Sequence, residues 1–204
     1  TAADELYGVE PGDGFAVIEP ELCQVVRRVP LPGNEAMYPA YNPQVDKLYC
    51  GRSMGTRDDL LVVRCAEHDS LYRVRGVPAG VRVFAFDPVR PRTWCATDVW
   101  GGDSTLYVLD AAADTLARRL PVGREVTDIE FAPDLDRVFV SVPVERSVLI
   151  YDAAAESLVV KLDGNPNDPA NRDGRRTGFT ADGTPLDIGD RIGGTIQVLG
   201  YPDF

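Results

Sequence analysis

Acidic side chains, arginines and a tryptophan recur in the polar segments that separate the apolar runs of this chain. Carboxylates and guanidinium groups bind polar ligands through charge-assisted hydrogen bonds, and an exposed indole ring adds a cation–π surface. Together they are typical of a surface that binds a polar small molecule or a peptide, although any one such charge is more often a solvated loop residue. The residues concerned are Asn34, Glu35, Arg52, Arg57, Asp58, Asp98, Trp100, Asp103, Arg124, Glu125 and Asp128.

Four carboxylates of this set are also candidates for acid–base catalysis. Glu35, Asp98, Glu125 and Asp128 have the side chains that act as general acids and bases. Arg124 lies next to one of them and could stabilise an oxyanion. The same residues therefore support a catalytic alternative to simple binding.

The polar segment 163–174 has a composition that suits a hard cation. Oxygen-bearing side chains are the ligands that Ca²⁺ prefers, and here they belong to Asp163, Asn165, Asn167, Asp168, Asn171 and Asp173. The segment departs from an EF-hand loop, because Asp168 stands where glycine is needed and Gly174 stands where the last glutamate belongs. Pro166 and Pro169 favour an ordinary turn-rich loop. Calcium is thus a hypothesis for this loop, and the sequence does not identify a cofactor beyond it.

The four cysteines and the single histidine form no recognisable metal motif. The cysteines include no CxxC pair, and His68 has no second histidine. Four cysteines allow three disulfide pairings, and the sequence does not choose among them. Cys50 and Cys95 lie on apolar runs, where we expect small buried thiols. No helix is expected after the glycine pairs 101–102 and 193–194, so we interpret both pairs as turns.

A repeat predicts the elements that position these residues. The triplets Tyr41-Asn42-Pro43, Phe86-Asp87-Pro88 and Phe131-Ala132-Pro133 recur at an interval of 45 residues, each before a β-prone run. A fainter copy begins at Phe179. Periods of about 40–50 residues with several short strands are typical of β-propellers. The sequence therefore predicts an all-β fold, a propeller of four-stranded antiparallel blades, as a single domain over residues 1–204.

Each repeat contains four β-prone runs, named here inner, second, third and outer strand, which together predict one blade. The repeats lie near residues 36–80, 81–124 and 125–162. The predicted inner strands are 36–42, 81–87 and 125–132, and the second strands are 47–50, 92–96 and 137–142. The third strands are 60–64, 105–110 and 147–152, and the outer strands are 24–29, 71–75, 115–120 and 158–162.

This strand order separates two faces of the predicted propeller. The outer-to-inner connections and the second-to-third loops share one face, called the loop face, which in propellers carries the usual binding surface. The inner-to-second turns and the third-to-outer hairpins share the opposite face, called the turn face. The candidate residues belong to the loop face, whereas His68 falls in a hairpin of the turn face. A Ser–His–Asp triad on the loop face is therefore disfavoured.

The repeat resembles the YVTN-type β-propeller family. The resemblance is carried by Ala132-Pro133-Asp134, Val138-Phe139-Val140, Tyr107-Val108-Leu109-Asp110 and Leu120-Pro121-Val122-Gly123, and it covers roughly residues 36–162. It implies a fold rather than a reaction, with Asp110 and Asp152 as turn aspartates that accept hydrogen bonds from hairpin N–H groups. Propeller lactonases, lyases and dehydrogenase subunits have a similar architecture, which is why an enzyme remains an alternative.

The two ends of the repeat array look incomplete. Residues 5–30 resemble a blade without its inner strand, and residues 175–201 one without its outer strand, which makes about four and a half blades. An open arc would expose strand edges. The chain could belong to a larger propeller, be completed by a second chain, or close with irregular ends. A seven-bladed ring would need about 315 residues at this period.

The composition of the chain limits the classes of partner that we expect it to bind. The net charge of −11 disfavours nucleic acid and anionic membranes, and the absence of a long apolar run predicts no membrane insertion. Arg greatly outnumbers Lys, which indicates GC-rich coding; we expect a bacterial protein, secreted or periplasmic. The leading hypothesis is a non-catalytic binding or scaffold module for a protein, peptide or glycan partner, and Asn34, Arg52, Arg57, Asp58 and Trp100 are its main candidate residues.

Overall fold

The chain folds almost entirely into β-strands. The computed structural model describes residues 6–10, 14–31, 36–52, 59–65, 70–78, 80–97, 105–123, 126–142, 145, 147–163, 176–179, 185–188 and 198–199. Residues 36, 37, 52 and 163 and the last three ranges are described by their backbone only. The strands are β1 Leu6–Glu10, β2 Gly14–Glu19, β3 Gln24–Pro30, β4 Ala36–Asn42, β5 Lys47–Arg52, β6 Leu60–Arg64, β7 Ser70–Val74, β8 Val81–Phe86, β9 Arg92–Thr97, β10 Thr105–Asp110, β11 Thr115–Pro121, β12 Asp128–Ala132, β13 Arg137–Val142, β14 Ser147–Asp152, β15 Ser157–Asp163, β16 Arg176–Phe179, β17 Pro185–Ile188 and β18 Val198–Leu199.

Strands that follow one another in the chain pair antiparallel and form five sheets. The second sheet (β4–β7), the third (β8–β11) and the fourth (β12–β15) have four strands each, and the first (β1–β3) and the fifth (β16–β18) have three described strands each. Strand β4 lies beside β8, and β8 lies beside β12. These sheets are arranged like propeller blades, which confirms the predicted fold class and the order from inner to outer strand.

The predicted strand bounds agree with the structure to within a few residues, except in the fourth sheet. Its inner strand was predicted from residue 125 but begins at Asp128. The earlier inner strands have a register shift at the corresponding point, beside Met37 in β4 and Arg82 in β8. Thr127 occupies that repeat position, and its N–H still reaches the Ser141 carbonyl oxygen at 3.1 Å. The break in regular strand pairing therefore recurs at one position of the repeat. In the fourth sheet the inner strand begins only after this position.

The second and third sheets each bury both of their faces, against a different neighbour on each side. In β9, Trp94 packs into the core shared by the third and fourth sheets, whereas Cys95 packs into the core shared by the second and third. Because successive strand residues point to opposite faces, such strands need apolar residues at every position. Full burial of one large aliphatic or aromatic side chain stabilises a fold by about 1.5–3 kcal/mol, so these interfaces hold the blades together.

Two of the third-to-outer hairpins are built on aspartate caps. Asp110 Oδ1 accepts hydrogen bonds from the N–H groups of Ala112 and Ala113, at 3.0 Å each, and Asp152 Oδ1 accepts one from Ala155 at 2.8 Å. This confirms the role predicted for both aspartates. The last residue of the β2–β3, β10–β11 and β14–β15 hairpins has a left-handed backbone, with φ of 49° at Cys23, 55° at Asp114 and 49° at Glu156.

Three outer strands carry a β-bulge at the same place. The pairing of β3, β11 and β15 with the neighbouring third strand skips one residue, namely Val26, Ala117 and Val159 respectively. A bulged residue is left outside the regular ladder. Val26 and Val159 are half exposed, as are their regularly paired neighbours Val25 and Leu158, so exposure is common to these outer strands.

The thiols of Cys50 and Cys95 are fully buried, as predicted, and none of the four cysteines, all of which the structure describes, forms a disulfide. Within the described ranges, no helix is long and apolar enough to cross a membrane.

Candidate functional site

The loop face lies mostly outside the described residues. Of the residues predicted there, only Asp128 is described with its side chain, and Arg52 is described by its backbone at the end of β5. Asp163 likewise contributes only its backbone, at the end of β15. The other predicted residues lie outside the described ranges: Asn34, Glu35, Arg57, Asp58, His68, Asp98, Trp100, Asp103, Arg124, Glu125, Asn165, Asn167, Asp168, Asn171 and Asp173, with the glycine pairs 101–102 and 193–194.

Asp128 is a partly buried carboxyl at the loop-face end of the fourth sheet. It begins β12 and lies directly opposite Ser141 of β13, which in turn is paired with Val148 of β14. Val148 belongs to the buried cluster with Phe139 and Ile150. Burial in this surrounding raises the pKa of the Asp128 carboxyl, and the hydrogen bond from the Ile129 N–H, at 3.0 Å, only partly offsets it.

The repeat provides a comparison for this polar pair. Residues 38, 83 and 128 occupy one position of the inner strand, and residues 51, 96 and 141 are their partners on the second strand. The pair is Tyr38–Gly51 in the second sheet, Val83–Ala96 in the third and Asp128–Ser141 in the fourth. Burying a carboxyl costs free energy that burying a valine does not. The Asp128–Ser141 pair should therefore make the fourth sheet less stable than a Val–Ala pair would. A position of this kind is a candidate binding or catalytic site.

An aromatic ring and a guanidinium group meet on the inner strands near the same face. Arg82 of β8 lies over the ring of Tyr38 of β4, with 4.7 Å between its Cζ and the ring centroid. Neither residue was among the predicted site residues. These two inner strands therefore present one charged and one aromatic group near their first residues.

The inner strands β8 and β12 also enclose a groove of about 260 Å³ that reaches the turn face. It is lined by Phe84, Ala85, Phe86, Pro88, Ile129, Glu130, Phe131 and Pro133. This groove follows from the way β8 and β12 lie beside each other, and no sequence motif marks it.

A chain of ion pairs joins neighbouring blades at the turn face, and sequence reasoning missed it. Lys47 of the second sheet pairs with Asp114 of the third, with 2.8 Å between Nζ and Oδ1. Arg92 of the third sheet pairs with Glu156 of the fourth, with 2.8 Å between Nε and Oε1. The cations occupy the same repeat position, the first residue of the second strand, which is also basic at Arg137. The sequence signal for these ion pairs was the recurrence of a basic residue every 45 positions.

The described residues contain no group of three or more His, Cys, Asp or Glu side chains placed to hold a metal ion. The predicted calcium loop lies outside these residues, apart from the backbone of Asp163.

Comparison with known proteins shows a fold. No family model matches the chain, and no curated protein matches it. Among solved structures, two of AztD from Citrobacter koseri match at 16% and 17% identity, with TM-scores of 0.59 and 0.60, over 79% of this chain and 44% of theirs. The structure of U3-55K matches at 12% identity and a TM-score of 0.59, over 78% of this chain and 48% of that one. The chain thus spans less than half the length of these structures, which are propeller-like folds. At such identities the likeness establishes a β-propeller fold and no activity.

Proposed function

We propose that this propeller is a non-catalytic binding module that engages a protein, peptide or glycan partner through its loop face. The observation that carries the proposal is the Asp128–Ser141 pair, which stands where the two preceding blades have Val83–Ala96 and Tyr38–Gly51. Asp128 follows two of the predicted loop-face residues, Arg124 and Glu125, closely in the chain.

The pair has a defined hydrogen-bonding capacity. A carboxylate accepts hydrogen bonds, and a serine hydroxyl both donates and accepts. Together they suit a ligand group rich in donors, such as a sugar hydroxyl, an amide or an ammonium group. A ligand that donates to Asp128 would compensate the cost of burying this carboxyl, because buried polar groups are stable when they are hydrogen-bonded.

The experiment replaces the polar pair by the pair that the third sheet has at this position. The double variant Asp128→Val, Ser141→Ala and the unaltered protein are both applied to a glycan array and a peptide array. We expect the unaltered protein to bind a defined subset and the variant to lose at least about tenfold in affinity, since each lost hydrogen bond to a charged group costs about 1.5–3 kcal/mol.

The matched control is Glu21→Gln, which neutralises an exposed carboxyl in a turn-face hairpin. Its affinity for the same subset should equal that of the unaltered protein. A second variant, Trp100→Ala with Arg57→Ala, should also abolish binding. Equal binding by the unaltered protein and both double variants would refute the assignment of the loop face.

A propeller enzyme is the second candidate, and the raised pKa of Asp128 is the observation that favours it. A carboxyl whose pKa is raised keeps its proton to higher pH than an ordinary carboxyl, so it is suited to act as a general acid. Glu35, Asp98, Glu125 and Arg124 would then complete the site. In an assay of lactone hydrolysis, a pH–rate profile whose alkaline limb disappears in Asp128→Asn would favour this enzyme over the binding module.

We infer in addition that the chain is a YVTN-type propeller. Support comes from the hairpin caps at Asp110 and Asp152, which lie in the positions that the family resemblance implies. A conserved aspartate at both positions in an alignment of future homologues would test this, and variation without preference there would contradict it.

A further inference from the structure

We infer that the groove between β8 and β12 is a second binding site, and that it takes an extended peptide segment in which an apolar side chain lies next to a lysine or arginine. The site is at the turn face, so it is distinct from the loop-face surface proposed above and does not depend on it.

The groove has the size and the lining for one or two side chains. Its volume of about 260 Å³ lies just below the usual range for small-molecule pockets, roughly 300–1,000 Å³. Phe86, Phe131, Pro88 and Pro133 are among the residues that line it. At the turn face it opens beside the exposed side chain of Val89, which is 73% accessible and extends the apolar surface beyond the groove.

The repeat again shows what is special about this place. Ile129 occupies the position that Phe84 has in the preceding blade. There Phe84 packs against Tyr49, with 5.9 Å between the ring centroids. Between the third and fourth sheets Trp94 stands at the position of Tyr49 and shares a buried core with Ile129, so a larger ring on the second strand is combined with a smaller side chain on the inner strand. Glu130, which follows it, stands where the preceding blade has Ala85. Both departures concern residues that line the groove.

Charge determines the kind of segment that fits. Glu130 lines the groove, Asp134 lies on the adjoining turn, and both are exposed. Neither carboxylate forms an ion pair with any residue that the structure describes. The nearby cation Arg90 is engaged, because it pairs with Asp87 and with Asp136. Within the described part of the chain, the groove thus offers apolar side chains with negative charge beside them, which selects a cationic neighbour for the apolar side chain of the ligand.

The backbone favours an extended ligand. Strands β8 and β12 are each the terminal strand of their sheet, so each has one edge without a strand partner within the described part of the chain. A peptide can add its own backbone hydrogen bonds to such an edge, while a side chain fills the adjacent pocket. A peptide therefore suits the groove better than a compact small molecule does.

The test uses a defined set of capped octapeptides with glycine and serine flanks. The central pair combines Leu, Phe or Trp with Lys, Arg, Glu or Gly, and binding is measured by chemical-shift changes in the labelled protein. We expect saturable shifts at Phe86, Glu130 and Phe131, and we expect Lys and Arg peptides to bind about two- to fivefold more tightly than Glu peptides, as for a partly exposed ion pair.

Two variants identify the groove as the site. Ile129→Phe restores the larger side chain of the preceding blade and should abolish the shifts while the protein remains folded. Glu130→Ala introduces the alanine that the preceding blade has at this position, Ala85. It should remove the preference for Lys and Arg peptides, while weak binding persists. The loop-face double variant Asp128→Val, Ser141→Ala should bind the peptides normally. This outcome separates failure of the groove from failure of the loop-face proposal.

Three results would overturn the inference. The first is the absence of saturable shifts with every peptide of the set. The second is equal affinity for Lys and Glu peptides, and the third is unchanged binding by a folded Ile129→Phe protein.

Discussion

The Nζ atom of Lys47 lies 2.8 Å from Oδ1 of Asp114, although 67 residues separate them in the chain and they belong to different blades. Both side chains are almost fully buried, with 8% and 4% of their surface accessible. Lys47 also donates to the carbonyl oxygens of Ala111 and Ala112, and Arg64 donates to the other oxygen of Asp114 at 2.7 Å. The second and third sheets are therefore joined by buried charges as well as by apolar contacts.

Lys47→Met should lower the free energy of unfolding by about 3 kcal/mol, because removing one partner of a buried pair leaves the other charge incompletely compensated. Arg137→Met is the matched control, since Arg137 has the same repeat position but pairs with Asp152 of its own sheet and is a quarter exposed. This control should cost less than about 1 kcal/mol. Urea unfolding of both variants measures the difference, and equal costs would contradict the structural role of Lys47.

Gly51→Ala should destabilise the protein by about 1–3 kcal/mol through overpacking. A Cβ atom at Gly51 would overlap the carbonyl oxygen of Val81 in the next blade, and neither backbone segment can move independently. Gly8→Ala is the control, because its nearest neighbour would be the Ile18 Cδ1 at 3.5 Å, an ordinary contact. Thermal unfolding should show a clear loss for Gly51→Ala only.

Asp110→Asn should remove part of the loss of stability at low pH. The Ala113 N–H and the Arg92 guanidinium hold the pKa of Asp110 below its usual value of 3.8. Deprotonated Asp110 thus stabilises the folded chain above about pH 4, and this contribution disappears as the pH falls through the lowered pKa. Unfolding midpoints at pH 7 and pH 3 should differ less in Asp110→Asn than in the unaltered protein. An equal difference would show that this carboxylate contributes nothing to acid sensitivity.

Asp128→Val with Ser141→Ala should have the opposite dependence on pH. Because burial raises the folded pKa of Asp128, protonated Asp128 is well tolerated at low pH, and stability is lost as the pH rises through the raised pKa. The double variant should therefore gain about 1 kcal/mol at pH 7 and less at pH 3. Denaturant unfolding at the two pH values measures this, and a gain that is equal at both would mean that ionisation of Asp128 is not its cause.

Cys23→Asn should stabilise the protein by a few tenths to about 1 kcal/mol, because a left-handed backbone costs most residues about 1–2 kcal/mol and asparagine less. Cys23 has a φ of 49° and is exposed, so little packing is lost. Cys50→Asn, at a buried strand position, is the contrasting variant and should destabilise strongly. A decrease in melting temperature for Cys23→Asn would contradict this explanation.

The repeat made most of the fold predictable, because its period marks both the turns and the apolar strands. Asp110 and Asp152 could be assigned as caps since their partners lie two or three residues away in the chain. Lys47 and Asp114 could not be paired in the same way, because their contact depends on how two blades pack. Ile129 and Glu130 look unremarkable in the sequence, and only the position of β12 beside β8 shows that they line a groove. Asp128 was among the predicted site residues, but its pairing with Ser141 follows from the register.

The bulges at Val26, Ala117 and Val159 have a consequence for solubility. An outer strand is a sheet edge whose free N–H and C=O groups could pair with the same edge of another molecule. A bulge breaks the even spacing of these groups and twists the strand, so two edges cannot align over their full length. The bulges in these three outer strands thus disfavour edge-to-edge association between molecules. They lie where exposed apolar residues such as Val26 and Val159 would otherwise promote it.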